Sequence, residues 1–176
     1  MSRKSIFLFI PFLLLFSCAR SLTLETQTDI PTPLIESLQL NAAIYYPQVT
    51  KTYIYIENSR DRSNWSIAAG DSQIALFNEV MQSMFSSFSV IEKLEDNNRE
   101  FDVLIVPTLK DMQFALPNET GLGLYEVWLA YELSVQNKQN GSSEMITITG
   151  YGSSTEGVFS TDSSGLLEAS KAAYRE

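Results

Sequence analysis

The side chains from residue 125 to residue 136 alternate without a break. Tyr125, Val127, Leu129, Tyr131, Leu133 and Val135 fall on one side, and Glu126, Trp128, Ala130, Glu132 and Ser134 on the other. Extended chain sends successive side chains to opposite faces, whereas a helix would scatter this set around its circumference, so the run is a long strand with one apolar face. Asn140-Gly141 follows as a hairpin signal, and residues 145–151 return as a second strand. A chain with a strand of this kind has to build a sheet and cover one side of it.

Upstream, residues 40–47 and 51–57 are rich in β-branched and aromatic residues. In the second segment Thr52, Ile54 and Ile56 alternate with Lys51, Tyr53, Tyr55 and Glu57. Gly70-Asp71-Ser72 is a cap signal, and Ile74, Phe77, Met81, Met84, Phe85 and Phe88 then recur at helical spacing, predicting an amphipathic helix of about four to five turns. Its Met and Phe stripe is read as core packing in preference to an acyl or partner groove. After a turn at Asn97-Asn98, residues 101–107 are apolar on both alternating faces, as a central strand shielded on both sides would be. Residues 110–116 continue or bend away, 117–123 form a loop, and 166–174 favour helix. The expected fold is α+β: a largely antiparallel sheet with two helices packed on one face, leaving the other face as the place to seek function.

The first twenty residues carry a different message. Arg3 and Lys4 precede an apolar run over residues 6–16, shorter than the roughly 20 residues of a stable span, and Leu15-Phe16-Ser17-Cys18 closes it. This is a secretory signal. Its end resembles the lipobox of bacterial lipoproteins, with Leu15 at −3, Ser17 at −1 and Cys18 at +1; Phe16 is bulkier than the usual residue there. The resemblance implies cleavage between Ser17 and Cys18 and fatty acylation of Cys18. Ala19 is not the aspartate associated with inner-membrane retention, which implies the periplasmic face of the outer membrane. Residues 1–17 are thus read as signal peptide, 18–33 as lipidated cysteine and flexible tether broken by Pro31 and Pro33, and 34–176 as one periplasmic domain.

Removing residues 1–17, with Arg3 and Lys4, leaves 159 residues and moves the formal charge from −9 to −11. That is one domain's worth of chain, and its acidity excludes nucleic acid as a natural partner and leaves membrane affinity to the acyl chains. The chain has no histidine, the commonest general base and transition-metal ligand, and its single cysteine is the one the lipobox would consume.

Lipobox, proline-containing tether, paired strands before an amphipathic helix, a β-meander and a terminal helix together resemble the small envelope lipoproteins of lipopolysaccharide assembly and the auxiliary lipoproteins of ABC transporters. The resemblance implies a non-catalytic accessory that docks a transporter or outer-membrane barrel, or handles an amphiphile in transit. The alternatives are a lipid- or glycan-binding periplasmic module and, third, an unrecognised enzyme.

Other local motifs reduce to ordinary structure. Gly121-Leu122-Gly123 lacks the further glycines of a phosphate loop and precedes a strand, so it reads as a turn. Glu92, Glu95, Asp96 and Glu100 lack calcium-loop spacing and read as a solvated cluster; Arg60-Asp61-Arg62 reads as a charge-balanced loop. No nucleophile elbow or acid/base pair is present, so no catalytic residue, metal or cofactor is expected. The one candidate surface is aromatic: Trp128 on the polar side of its strand, together with Tyr53 and Tyr55 opposite their isoleucines, as a patch for a protein partner or sugar-containing ligand.

Overall fold

The computed structural model describes residues 20–23, 36–58, 64–94, 100–155, 157 and 161–175. The fold is α+β, with a five-stranded mixed sheet, a smaller three-stranded sheet and three helices among the described residues.

In chain order the elements are β1 (Arg20–Thr23), β2 (Leu38–Tyr45), α1 (Gln48–Lys51), β3 (Ile54–Glu57), β4 (Trp65–Ala68), α2 (Gly70–Met84), β5 (Phe85–Ile91), β6 (Val103–Ala115), β7 (Leu124–Asn137), β8 (Ser143–Thr155) and α3 (Asp162–Ala173). The large sheet has the order β5-β2-β6-β7-β8. Its right half is the meander expected from the alternation: β6 pairs antiparallel with β7 from Val103↔Asn137 to Ala115↔Glu126, and β7 with β8 from Leu124↔Thr155 to Gln136↔Ser143. The register of β6 shifts between Leu109 and Asp111, which lets one strand run through the whole of residues 103–115.

The left half departs from the antiparallel expectation, since β2 runs parallel to both β5 and β6. Parallel neighbours need a crossover, and α2 supplies it by leading straight into β5. The predicted helix over-ran here. Phe85 and Phe88 continue the helical spacing of Met81 and Met84, but the chain turns extended at Phe85 (φ −119°, ψ 147°). Ser86 donates to the Leu40 carbonyl and Ser87 to Asn41 Oδ1 (2.6 Å), tying the segment to β2 instead. The cap also differs. The N-cap is Ala69 and no side chain caps the helix; Gly70 begins it because a Cβ there would collide with the Lys51 carbonyl.

Two further expectations change. Residues 48–51 are a short helix, so the strand expected over residues 51–57 is β3 alone, paired with β4. Arg20–Thr23, inside the segment read as tether, is a strand lying parallel to β4. The small sheet β1-β4-β3 rests on the large one through Phe114 of β6, which meets Tyr55 and Trp65 edge to face at 5.8 and 5.5 Å.

Both long helices contribute to the main core on one side of the large sheet, with Phe77, Met81, Leu166, Ala169 and Ala173 against Ile105, Leu129 and Tyr131. Ala43, Ile91 and Leu104 form a smaller cluster of their own. A capping box of Thr161 and Ser164 starts α3, and Gly150 and Gly152 of β8 let its backbone come down onto the strand. Among the described residues no helix is long and apolar enough to cross a membrane.

Candidate functional site: an apolar trough between the helices and the sheet

The inner face of β8 carries Gly152, Gly150, Ile148 and Ile146 in alternation, opposite Val127, Leu129, Tyr131 and Leu133 of β7. The glycines lie beneath α3, which ends at Ala173. Beyond that end nothing comparable among the described residues covers the strand, and Ile148 and Ile146 stay 40% and 43% exposed although they point to the side on which the core lies. Across the sheet α2 stands as the facing wall.

Between them lies a cavity of about 640 Å³, open on one side. Val103, Ile105, Leu129, Leu133 and Val135 make its floor, with Ile146 and Ile148 at the β8 edge. Leu76, Phe77, Val80, Met81 and Met84 of α2 form one wall, and Leu38, Leu40 and Phe85 close the far end. The size falls within the roughly 300–1,000 Å³ of small-molecule pockets, and an apolar lining with a few placed polar groups is their usual composition. The Met and Phe stripe read as core is therefore divided. Phe77 and Met81 are buried, whereas Met84, also on the lining, is half-buried.

Four described residues with polar side chains are on the lining, Thr149 among them. Tyr131 of β7 and Tyr174, just past α3, line it beside Arg175. Both tyrosines are at least nine-tenths buried, at 3% and 8% exposure. Burial raises both hydroxyl pKa values, that of Tyr131 well above its ordinary value of 10.0, with the neighbouring Tyr174 adding to it. The hydroxyls are close enough to influence each other and stay protonated through the neutral range; both oxygens are sealed from solvent, and neither meets a third partner among the described residues. Even a direct bond between them would use only one of two O–H donors. Arg175, exposed, is the one charged residue on the lining among the described residues.

The opposite face of the meander holds the other feature. Gln113, Trp128 and Tyr151 are cross-strand neighbours on β6, β7 and β8. The Trp128 and Tyr151 rings are 5.5 Å apart at 43°, and the Tyr151 hydroxyl donates to Glu126 Oε1 at 2.8 Å, a bond that heads the causes raising its pKa. With Asp111 and Thr149 they border a surface hollow of about 500 Å³ whose lining is part polar and part apolar.

The structure separates the residues of the expected aromatic patch. Trp128 is exposed, as the alternation required, but Tyr53 and Tyr55 are half-buried and pack against the main core, while Ile54 and Ile56 point outward at 52% and 63% exposure. The facing of β3 is the reverse of that read from hydrophobicity, because Phe114 offers Tyr55 an aromatic edge and the Tyr55 hydroxyl reaches Glu57. The partner of Trp128 is Tyr151, which strand pairing alone reveals. Tyr174 and Arg175 were not singled out as site residues; no motif marks them, and their role depends on where α3 stops.

Ser17 and Cys18 lie outside the described residues, as do Arg60, Asp61, Arg62, Glu95 and Asp96. Glu92 pairs with Lys51 at 3.3 Å, and residues 121–123 form a turn with Gly123 at φ 66°. No group of three or more metal-ligating side chains occurs among the described residues.

No family model matches the chain, and no curated protein matches it. Among solved structures it is similar to protein XCC0632 from Xanthomonas campestris, of the DUF330 family, with a TM-score of 0.51 at 9% identity over 90% of this chain and 88% of that one. It also matches a PelC dodecamer from Paraburkholderia phytofirmans, with a TM-score of 0.37 at 12% identity over 83% of this chain and 95% of that one. The first likeness is one of fold.

Proposed function

We propose that this protein is a non-catalytic, lipid-anchored accessory of the bacterial envelope that holds the acyl part of an amphiphile during transport or outer-membrane assembly. The observation that carries the reading is the 640 Å³ trough, apolar along two walls and floor. A monomeric domain gains by closing such a surface into its core, and this one leaves Leu38, Ile146 and Ile148 in water at its rim. Acyl chains need what the trough offers: a continuous apolar channel with flexible Met and Leu walls and little directional demand. Attachment through Cys18, on the periplasmic face of the outer membrane, would hold the domain where amphiphiles must leave one membrane and enter another.

The test is a lipid and protein census of the full-length tagged protein purified from native membranes, with Cys18→Ser as the unanchored control. A stoichiometric acyl lipid together with a transporter or barrel subunit supports the accessory reading. Repeated isolation with neither an amphiphile nor a membrane protein overturns it.

A second reading has its own observation. The Trp128–Tyr151 pair, flanked by Glu126, Asp111 and Gln113, has the aromatic plane and hydrogen-bonding rim on which a sugar ring stacks. A glycan-binding module would use this outer face and leave the trough empty, so a retained oligosaccharide in place of a lipid favours it.

A further inference from the structure

We infer that β8 is the contact edge of a two-fold dimer, in which two copies of this chain pair antiparallel about Thr147, so that their five-stranded sheets join and their troughs meet across the seam. The inference goes beyond the amphiphile reading and stands on strand pairing, whether or not the trough is filled. β8 ends the sheet order, so its outer side has no strand partner among the described residues. An edge strand leaves a row of amide donors and carbonyl acceptors open, and chains that stay apart blunt it with brevity, a bulge, a proline or lysines. β8 has none of these. It runs 13 residues, Ser143–Thr155, in unbroken register with β7, without proline or lysine and with Glu144 as its one charged side chain. The other edges are protected: β1 and β3 are 4 residues long, and β5 has 7 and a register shift against β2.

The strand's own sequence identifies the occupant as a second copy. Ile146-Thr147-Ile148 reads the same in both directions, so the antiparallel register centred on Thr147 sets Thr147 opposite Thr147 and Ile146 opposite Ile148 of the second copy. Paired β-branched residues of this kind stabilise a sheet. Residues in this register keep their faces, so four isoleucines collect on the trough side and cover apolar surface that a single chain leaves exposed at its rim. Charge supports the same register. It puts Glu144 of one copy opposite Gly150 of the other, and Gly150 lies against the Ala173 carbonyl, with the exposed Arg175 two residues further on and on the same lining. Glu144 thereby comes to the Arg175 end of the second copy, twice by symmetry, whereas its own Gly150 is roughly 20 Å away, six residues along an extended strand. A register centred on Glu144 would set two carboxylates face to face, which is destabilising. For a chain of net charge −9, a nearly neutral strand flanked by two opposite-charge contacts lets copies meet without opposing like charges.

The experiment is analytical ultracentrifugation of the purified full-length protein, joined to disulfide trapping at the seam. A reversible dimer of micromolar strength is expected, because residues 144–150 on each side make a small contact beside the roughly 20–30 residues of a standard interface. Glu144→Arg and Arg175→Glu should each weaken it about tenfold, and the double variant should recover it, since the reversed pair attracts again. Both side chains are exposed, so neither change threatens the fold. With Cys18→Ser removing the chain's one cysteine, Thr147→Cys should give a disulfide-linked dimer on mild oxidation, while Gln82→Cys, exposed on α2, should not. Directly opposed antiparallel residues stand about 4.5–5.5 Å apart at Cα, within the range a disulfide spans. A monomer at every concentration reached, a ring of more than two copies, a double variant no better than the single ones, or equal trapping at positions 147 and 82 overturns the inference and leaves the trough reading untouched. A dimer that purifies without any amphiphile supports the inference and counts against that reading instead.

Discussion

Gly152 of β8 lies against the backbone of Ala169 and Ala173 in α3, with no room for a Cβ between them. Gly150 stands in the same relation to the Ala173 carbonyl one step along the strand. The two glycines set how closely the helix descends on the sheet, and so fix one wall of the trough. Gly152→Val should therefore destabilise the fold by about 1–3 kcal/mol, the usual cost of forcing volume into a packed contact. The check is the urea midpoint at unchanged slope, with Gly121→Ala as the control, since nothing lies within 4 Å of a Cβ at Gly121.

Asp102 joins three parts of the sheet. Its Oδ2 accepts from the Asn41 amide of β2 at 2.9 Å and its Oδ1 from Gln139 in the β7–β8 turn at 2.9 Å, while its backbone bonds Asn41 and Lys138. The Asn41 bond, then the Gln139 bond, hold its pKa below the ordinary 3.8. A carboxylate whose pKa is lower folded than unfolded adds stability above the unfolded value and loses it as pH falls through the folded one. The gap in denaturation midpoint between wild type and Asp102→Ala should thus be full at pH 7 and narrow below about pH 4. A gap that stays constant down to about pH 2 would remove the carboxylate from the explanation.

The meander was legible because each of its strands has one wet and one dry side. The apolar set of residues 125–135 is the set β7 turns to the core, and the doubly apolar run over residues 101–107 contains the start of β6, the central strand. The rest depended on contacts that periodicity does not encode. Phe85 and Phe88 satisfy a spacing of three to four as readily as a strand, and only the pairing of Ser86 and Ser87 with β2 decides between them. Ile54 and Ile56 point outward because a tyrosine and a phenylalanine compete better for the space between the two sheets. The trough was hidden for a related reason. Ile146 and Ile148 read as ordinary inward residues of a strand, and their exposure follows from α3 stopping at Ala173.

That stop separates packing from binding along one face. Phe77 meets Tyr131 edge to face at 5.1 Å and is buried, so Phe77→Ala should cost about 3–5 kcal/mol. Ile148, opposite Tyr131 on the next strand, is 40% exposed, and Ile148→Ser should cost about 1 kcal/mol or less. Yet Ile148→Ser puts a hydroxyl on the trough's rim and should cut the capture of a fluorescent fatty-acyl probe several-fold. Equal proportional loss of stability and capture in Ile148→Ser would identify the rim as core alone.

The chain's two tryptophans sit in opposite environments, Trp65 at 1% exposure against Phe114 and Trp128 at 39% beside Tyr151. Trp128→Ala should accordingly remove the emission that acrylamide quenches, leaving a blue-shifted, protected signal from Trp65, and it should change the unfolding free energy by about 1 kcal/mol or less because its ring is not part of the core. A variant that unfolds several kcal/mol more easily would show that Trp128 is a packing residue despite its exposure. A variant that keeps its stability leaves the ring available for a ligand. Neutral oligosaccharides should then quench the wild-type emission and leave Trp128→Ala unchanged if the outer hollow binds sugar.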